Sequence, residues 1–206
     1  MRRFHLTILE TFYSIQGEGL KIGVPSVFIR FAGCNLRCPW CDTKYSWEEE
    51  SHISIDDVKL LSNEVVFTGG EPLLNQDVIF SFIEKHPDLN YTIETNGTLV
   101  PCNELLDFNI LWSVSPKLFL ENWCKNVLTF DNYNKVQFKF VISDLSDLNE
   151  LKELSLRHPI LVQPNGNTDN YNRACKELAE AVLSQNLNFR VLPQFHKICW
   201  GDKRNI

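Results

Sequence analysis

Apolar residues fall along the chain in short blocks rich in β-branched and aromatic side chains. Each block is closed by a polar or glycine-bearing loop. Residues 26–31 (SVFIRF) lead into Ala32-Gly33-Cys34, 64–67 (EVVF) into Thr68-Gly69-Gly70-Glu71-Pro72, and 91–93 into Glu94-Thr95-Asn96-Gly97. The same punctuation follows 110–114, which ends at Ser115-Pro116-Lys117, and 160–162, which ends at Gln163-Pro164-Asn165-Gly166. Runs 137–142 and 188–192 complete the set, and an extended run over 5–13 precedes it. Such blocks predict buried strands. Helical spacing occupies several of the intervals. It predicts helices over 54–61, with Ile55, Val58 and Leu61 on one face, over 75–86, stopped by Pro87, over 148–156, and over 168–185, with Ala174, Leu178, Ala181 and Val182 on one stripe.

Alternating strand and helix predicts parallel β/α units. Nearly every unusual polar loop follows a strand, and in such folds the carboxyl ends of the strands carry the site. A chain of 206 residues is short for a closed eight-unit barrel. The expected fold is therefore a partial, open (β/α) barrel of about six parallel strands. No Pro/Gly/Ser-rich linker interrupts it, so residues 1–206 are read as one domain.

Charge and composition narrow the class. Twenty Lys and Arg against twenty-six Asp and Glu give a net charge of −6, which argues against a general grip on nucleic acid. With 44% hydrophobic and 22% charged residues the chain has the makings of a full core, which excludes a disordered chain. No apolar run approaches roughly 18 residues, so no membrane span is expected. Arg2 and Arg3 are not followed by an apolar stretch with a cleavage site, so the expected location is cytoplasmic.

Seven cysteines is an odd number, and their spread is uneven. Cys102, Cys124, Cys175 and Cys199 stand singly and read as small hydrophobes. Cys34, Cys38 and Cys41 form C-x3-C-x2-C, and clustered cysteines in a reducing compartment mean a metal or a catalytic site. Three thiolates can hold three corners of a [4Fe–4S] cube, which normally takes four. Zinc would want four tetrahedral ligands; His52 could complete a set, but the spacing is a poor zinc knuckle.

Other loops admit both a bland and a chemical reading. The glycine pair at 69–70 is a turn, or a place where a ligand meets the backbone closely. Ser115-Pro116-Lys117 and Glu94-Thr95-Asn96-Gly97 are ordinary turn chemistry taken alone. In Ser14-Ile15-Gln16-Gly17-Glu18-Gly19, Gln16 offers an amide donor and acceptor and Glu18 can accept two hydrogen bonds. That pair suits an aminopyrimidinone edge, with its N–H donors beside a carbonyl. Arg30 can clamp a carboxylate bidentately.

The C-x3-C-x2-C spacing is similar to that of radical S-adenosylmethionine (SAM) enzymes. Together, IQGEG, GVPSVFIRFAGCNLRCPWCDTKYSW, TGGEP, ETNG, VSPK and the late PQFHKICWG resemble the 7-carboxy-7-deazaguanine synthase family within that superfamily. The resemblance runs from about residue 10 to the end. It implies a [4Fe–4S] cluster on Cys34, Cys38 and Cys41, whose open iron chelates SAM. Reduction then cleaves SAM to a 5′-deoxyadenosyl radical. The implied reaction contracts 6-carboxy-5,6,7,8-tetrahydropterin to 7-carboxy-7-deazaguanine with loss of ammonia, SAM being regenerated.

The same resemblance implies roles for single residues. Thr43 is the implied Mg²⁺ ligand. Trp40, Cys41, Asp42, Gly70, Ser115, Pro116 and Lys117 match SAM contacts. Ile15, Gln16, Gly17, Glu18, Arg30 and Thr68 match substrate contacts. Glu94, Asn96 and Gln163 are placed beside the SAM pocket, and His196 against the substrate. The run holding Gln194, His196, Lys197 and Trp200 is expected to fold over the barrel mouth. The implied partners are a flavodoxin or ferredoxin-type electron donor and a second copy in a homodimer. No nucleic-acid or membrane partner is implied, and the implied pathway is that of queuosine and other 7-deazapurines. Two other readings stay open. Small activases that install glycyl radicals share the cysteine spacing but lack IQGEG. A non-catalytic iron–sulfur sensor leaves GGEP and SPK unexplained.

Overall fold

The computed structural model describes residues 8–48 and 53–204, so residues 5–7 of the early extended run, and His52, lie outside the described residues. Eight strands form one sheet whose spatial order is the order of the sequence. They are β1 Ile8–Ile15, β2 Pro25–Phe31, β3 Glu64–Gly69, β4 Asn90–Thr95, β5 Ile110–Val114, β6 Val136–Ile142, β7 Ile160–Pro164 and β8 Phe189–Val191. β1 runs antiparallel to β2, and every later pair is parallel. All seven runs read as buried strands from the sequence form strands here. The open barrel thus has seven parallel strands rather than about six, with the early extended run as an added antiparallel edge. The β1–β2 loop is closed by Gln16 N–H donating to Val24 O (2.8 Å) and Gly23 N–H donating to Gln16 O (2.8 Å).

Five helices accompany the sheet: α1 Gln76–Lys85, α2 Asn103–Leu106, α3 Trp123–Phe130, α4 Tyr171–Ser184 and α5 Phe195–Trp200. α1 and α4 lie where helical spacing predicts them. The helix expected over 54–61 is a single 3-10 turn, Ile55–Asp57, after which Val58 is extended. Its apolar stripe does not stay on one buried face, because Leu60 and Leu61 are exposed. The helix expected over 148–156 is replaced by 3-10 turns at Leu145–Asn149 and Leu154–Leu156. Leu148 and Leu151 are buried there, but Leu156 points to solvent, so the stripe ends too soon to hold a longer helix. α3 buries Trp123, Val127 and Phe130, which are spaced like one helical face.

Side chains alternate across each strand, so the sheet has two chemically distinct faces. One face buries Ile29, Phe67, Ile93, Val114, Phe140 and Val162 completely in the core shared with the helices. The opposite face lines a cavity. It carries Phe28 and Arg30 from β2, Thr68 from β3, Glu94 from β4, Ser113 from β5, Lys139 and Val141 from β6, and Gln163 from β7. Registry sets these side by side: Arg30 opposite Thr68, Glu94 opposite Ser113, and Val141 opposite Gln163. The two edges of the sheet do not pair as strands. At the mouth, Phe195 N–H at the start of α5 donates to Gly17 O after β1 (2.8 Å).

Candidate active site

Three thiols stand on one short loop after β2, and that loop is held from several directions. Gly33 N–H donates to Ser46 O (2.7 Å) and Cys41 N–H to Cys38 O (3.2 Å). Leu36 N–H donates to Cys34 Sγ (3.4 Å), and the Arg37 guanidinium donates to Cys34 O (2.7 Å) and Leu36 O (2.9 Å). Asn35 reaches across to the loop after β4: its amide donates to Thr98 Oγ1 (2.7 Å), and its Oδ1 accepts from Asn96 Nδ2 (3.0 Å). On the other side Asn167 Nδ2 donates to Trp40 O (2.9 Å), and the Trp40 ring meets Phe119 edge-on at 5.2 Å.

Cys34, Cys38 and Cys41 all line a cavity of about 330 Å³, and no other cysteine lines it. All seven cysteines are free thiols. Burial pushes the Cys34 and Cys38 thiols up from their ordinary value; at Cys38 the charge of Lys117 opposes the rise. Loading this loop with iron must therefore expel protons. Three unpaired soft donors on one wall, with an amide N–H already directed at one sulfur, fit a [4Fe–4S] cube with one iron left open.

The TGGEP loop packs directly on the cysteine loop. Gly70 N–H donates to Phe31 O (2.9 Å) and Glu71 N–H donates to Gly33 O (2.9 Å). A Cβ added at Gly70 would land on the carbonyl of Gly33, well inside 3.0 Å. The glycine is needed there for chain against chain, whatever ligand it also meets. Glu71 is fully buried and accepts three bonds, from Leu73 N–H (3.0 Å), Thr95 Oγ1 (2.7 Å) and Asn96 N–H (2.8 Å). Burial pushes its carboxyl up, while those donors pull it down. Glu71 thus joins the loop after β3 to the ETNG loop after β4, a structural part that motif reading had not assigned.

Polar side chains of the inner face form a second network beside the thiols. Glu94 accepts from Thr68 Oγ1 (2.8 Å) and from Gln16 Nε2 (3.1 Å). Gln16 Oε1 in turn accepts Glu18 N–H (3.1 Å), so the Gln16 amide holds its own loop in place. Glu18 pairs with the Lys139 ammonium and accepts from Gln194 Nε2 (2.6 Å). Lys139 Nζ also lies 3.9 Å from Glu94. Burial alone would push Glu18 up; Lys139, with His196 and Gln194, overcomes it and holds the carboxyl far below the usual range. Burial alone would push Lys139 down; Glu18 and Glu94 raise it instead. His196 lies against Gly17, where a Cβ would strike its ring. Glu18, Asp42 and His196 bring ligand atoms within 4.8 Å of one another, a mixed carboxylate–imidazole set in which Glu18 is already committed to Lys139 and Gln194.

Arg30 is already paired inside the protein. Its Nε donates to Glu10 Oε1 (2.6 Å), and its guanidinium lies 5.4 Å over Phe12. Glu10 also accepts from the Tyr45 hydroxyl (3.0 Å) and from Arg204 Nε (3.3 Å). Burial pushes the Tyr45 phenol up to about 12.

The residues picked out by motif converge. Ile15, Gln16, Gly17, Glu18, Arg30, Thr68, Trp40, Asp42, Thr43, Gly70, Ser115, Lys117, Glu94, Asn96, Gln163 and His196 line the same cavity as the three cysteines. Pro116 does not line it; its neighbours do, with Lys117 Nζ donating to Ser115 Oγ (2.9 Å). Lys139 and Glu10 escaped the motif reading, while Gln194 was placed only in the run over the mouth and Glu71 only inside TGGEP. Lys139 had a signal available: a charged residue at the inward phase of VQFKFVI, a strand otherwise apolar at its centre. Glu10 had a similar one in ILETFYSI.

Comparison with known proteins follows the same lines. A family model described as the Radical SAM superfamily matches residues 28–111. A 7-carboxy-7-deazaguanine synthase of Thermoplasma acidophilum is 34% identical, over 96% of this chain and 98% of its own length. One of Clostridium acetobutylicum is 35% identical, over 97% and 98%. The crystal structure of QueE from Escherichia coli is similar with a TM-score of 0.67 and 27% identity, covering 93% of this chain and 94% of that one. Native anSMEcpe with bound AdoMet shares the fold at a TM-score of 0.57 and 17% identity, covering 85% and 67%.

Proposed function

The chain belongs to the 7-carboxy-7-deazaguanine synthase family of radical SAM enzymes, and from that premise we propose its reaction and the division of labour among its residues. The reaction is contraction of 6-carboxy-5,6,7,8-tetrahydropterin to 7-carboxy-7-deazaguanine with loss of ammonia. The observation that carries this reading is the meeting, in one cavity, of three free thiols with a buried carboxylate–ammonium network on the inner face of the sheet.

Cys34, Cys38 and Cys41 would hold the cluster. When bound, the cluster and SAM supply the hydrogen-abstracting radical chemistry that no side chain can provide. The chain's own work is placement and exclusion. Trp40, Asp42, Gly70 and the 115–117 loop hold SAM. Glu18, fixed and ionised, accepts N–H donors of the pterin's aminopyrimidinone edge. Arg30 has its Nε on Glu10, which leaves its terminal nitrogens for the pterin carboxylate. Thr68, braced by Glu94, closes the side of the ring. Thr43, whose Oγ1 lies 3.6 Å from Cys41 Sγ, gives Mg²⁺ a hydroxyl oxygen beside the cluster loop. α5, with Trp200 on the cavity wall, covers the mouth against water. One domain, working as a homodimer in the cytoplasm and reduced by a flavodoxin or ferredoxin, feeds the queuosine pathway. No helix of the described residues is long and apolar enough to cross a membrane.

The ion pair sets a pH expectation. Glu18 is lowered from an ordinary 4.5, so its contribution is complete above that value and is lost as pH falls through the lowered one. Lys139 is raised from an ordinary 10.5, so its contribution is complete below that value and is lost as pH rises through the raised one. Pteridine affinity should accordingly show no break from this pair between about pH 5 and about pH 9. Calorimetric titration of the holoprotein checks it. A midpoint inside that window that disappears in Glu18→Gln would contradict it.

The activity itself is tested with protein reconstituted anaerobically with iron and sulfide, then mixed with SAM, Mg²⁺, dithionite and 6-carboxytetrahydropterin. Mass spectrometry should find 7-carboxy-7-deazaguanine with SAM largely unconsumed, and Thr43→Val should lose the stimulation by Mg²⁺. 5′-Deoxyadenosine without the deazapurine would keep the radical chemistry and reject the substrate. No cleavage of SAM by protein shown to carry its cluster would reject both.

A further inference from the structure

Lys139 occupies a place that needs a reason. It is 5% exposed, sits in the middle of β6, and lines the cavity. Placing a lone ammonium there is costly unless it is paired and its protons find acceptors. Among the described residues its one hydrogen bond is to Glu18, with Glu94 further off at 3.9 Å. An ammonium carries three donors. At least one therefore has no acceptor within the described residues, on the same wall as the carboxylate that receives the substrate's N–H groups.

Neighbouring side chains sharpen the point. Gln194 can only donate to Glu18, because a carboxylate with both oxygens ionised only accepts. Its Nε2 therefore faces Glu18, and its Oε1 is buried with no partner among the described residues. Gln137, one inward position before Lys139, is held at both ends of its amide: its Oε1 accepts Leu20 N–H (2.7 Å) and its Nε2 donates to Ser113 Oγ (2.8 Å). Beside Glu18, Lys139 thus offers an ammonium with donor capacity left for a ligand. A carboxylate acceptor beside an ammonium donor is complementary to a ring edge that presents an N–H next to a carbonyl.

Resting on the pterin reading above, we propose that Lys139 is a substrate-reading residue: its ammonium donates to the ring carbonyl adjacent to the N–H that Glu18 accepts, so the ion pair recognises the aminopyrimidinone edge as a unit. The same contact fixes the carboxylate, through Glu18 Oε2, before any ligand arrives. A ring lacking that carbonyl leaves the ammonium unmatched and is rejected.

The test is equilibrium binding and infrared spectroscopy on the unreduced holoprotein with SAM, using 6-carboxypterin labelled with ¹³C at its ring carbonyl. In the wild type the isotope-edited carbonyl band should lie below its frequency in water, because a desolvated ammonium polarises it more strongly than water does. In Lys139→Met the band should rise above the aqueous value, and binding should weaken roughly 10- to 100-fold, as for a lost charged hydrogen bond. Lys139→Arg should restore part of the shift. If Lys139→Met fails to retain its cluster, Lys139→Gln carries the test with a neutral donor and an intermediate band. A carbonyl band unchanged by these substitutions would overturn the assignment, even if affinity falls, because a structural role for Lys139 would lower affinity without moving that band. A wild type that binds no pterin would overturn the substrate reading, and this inference with it.

Discussion

Cys38→Ala should leave a protein that folds but neither holds a [4Fe–4S] cluster nor cleaves SAM above background. Two thiolates on the loop cannot replace three, and no other cysteine lines the cavity to take the missing corner. The loop itself should survive, because its hydrogen bonds run through Gly33, Asn35, Arg37, Cys41 and Asn167 rather than through the Cys38 side chain. The expected signature is the loss of the cluster's visible absorption and of 5′-deoxyadenosine, with a melting temperature close to that of the cluster-free wild type. Cys124→Ala, at an exposed thiol that does not line the cavity, should keep both absorption and cleavage. A Cys38→Ala protein that still assembled a four-iron cluster and cleaved SAM would show that the ligand set is wrong.

Gly70→Ala should be severely damaging for a single added methyl. The new Cβ would meet the Gly33 carbonyl, which is backbone and has no rotamer to give. Either the cysteine loop or the TGGEP loop must move, and the bonds from Gly70 N–H to Phe31 O and from Glu71 N–H to Gly33 O must stretch. Overpacking of this kind costs about 3 kcal/mol. For a chain of this size that is a fall in melting temperature of roughly 6–12 °C. Because the strain falls on the loop that carries the thiols, cluster occupancy should drop as well. A Gly70→Ala protein with wild-type stability and full iron content would mean that the two loops do not pack as described.

These two expectations draw on different layers of the molecule. The thiol triplet lies within eight residues, so covalent spacing alone brings its sulfurs to one wall. Strand-forming blocks and the loops after them were equally local, and every block became a strand in sequence order. Helical pieces were less legible. Periodicity over 54–61 and 148–156 pointed to helices, yet only one-turn 3-10 segments form, because the stripe in each leaves the core after a turn. α3 was overlooked although Trp123, Val127 and Phe130 carry a buried face in only eight residues.

The motif residues were read as ligands, and their part in the protein's own framework was not legible. Gln16 suggested a substrate amide, yet both ends of that amide close contacts within the protein. Glu71 sat in a familiar string without an assigned role, and it turns out to clamp two loops. Arg30 suggested a clamp for an external carboxylate, and it is already oriented by an internal one.

By itself, the sequence determined what neighbours along the chain can determine: strands by their apolar, β-branched blocks, strand-end loops by their glycines and prolines, and a three-thiol loop by its spacing. Which inward-facing charges would meet was decided only in three dimensions. Lys139 is 121 residues from Glu18, and Gln194 is 176 residues from it. The energy that joins them exists only once the sheet curves, excludes water and lowers the dielectric between its strand ends. Local spacing can mark an inward charge such as Lys139 but not its partner, since the pairing depends on registry between strands and on which face the barrel closes over.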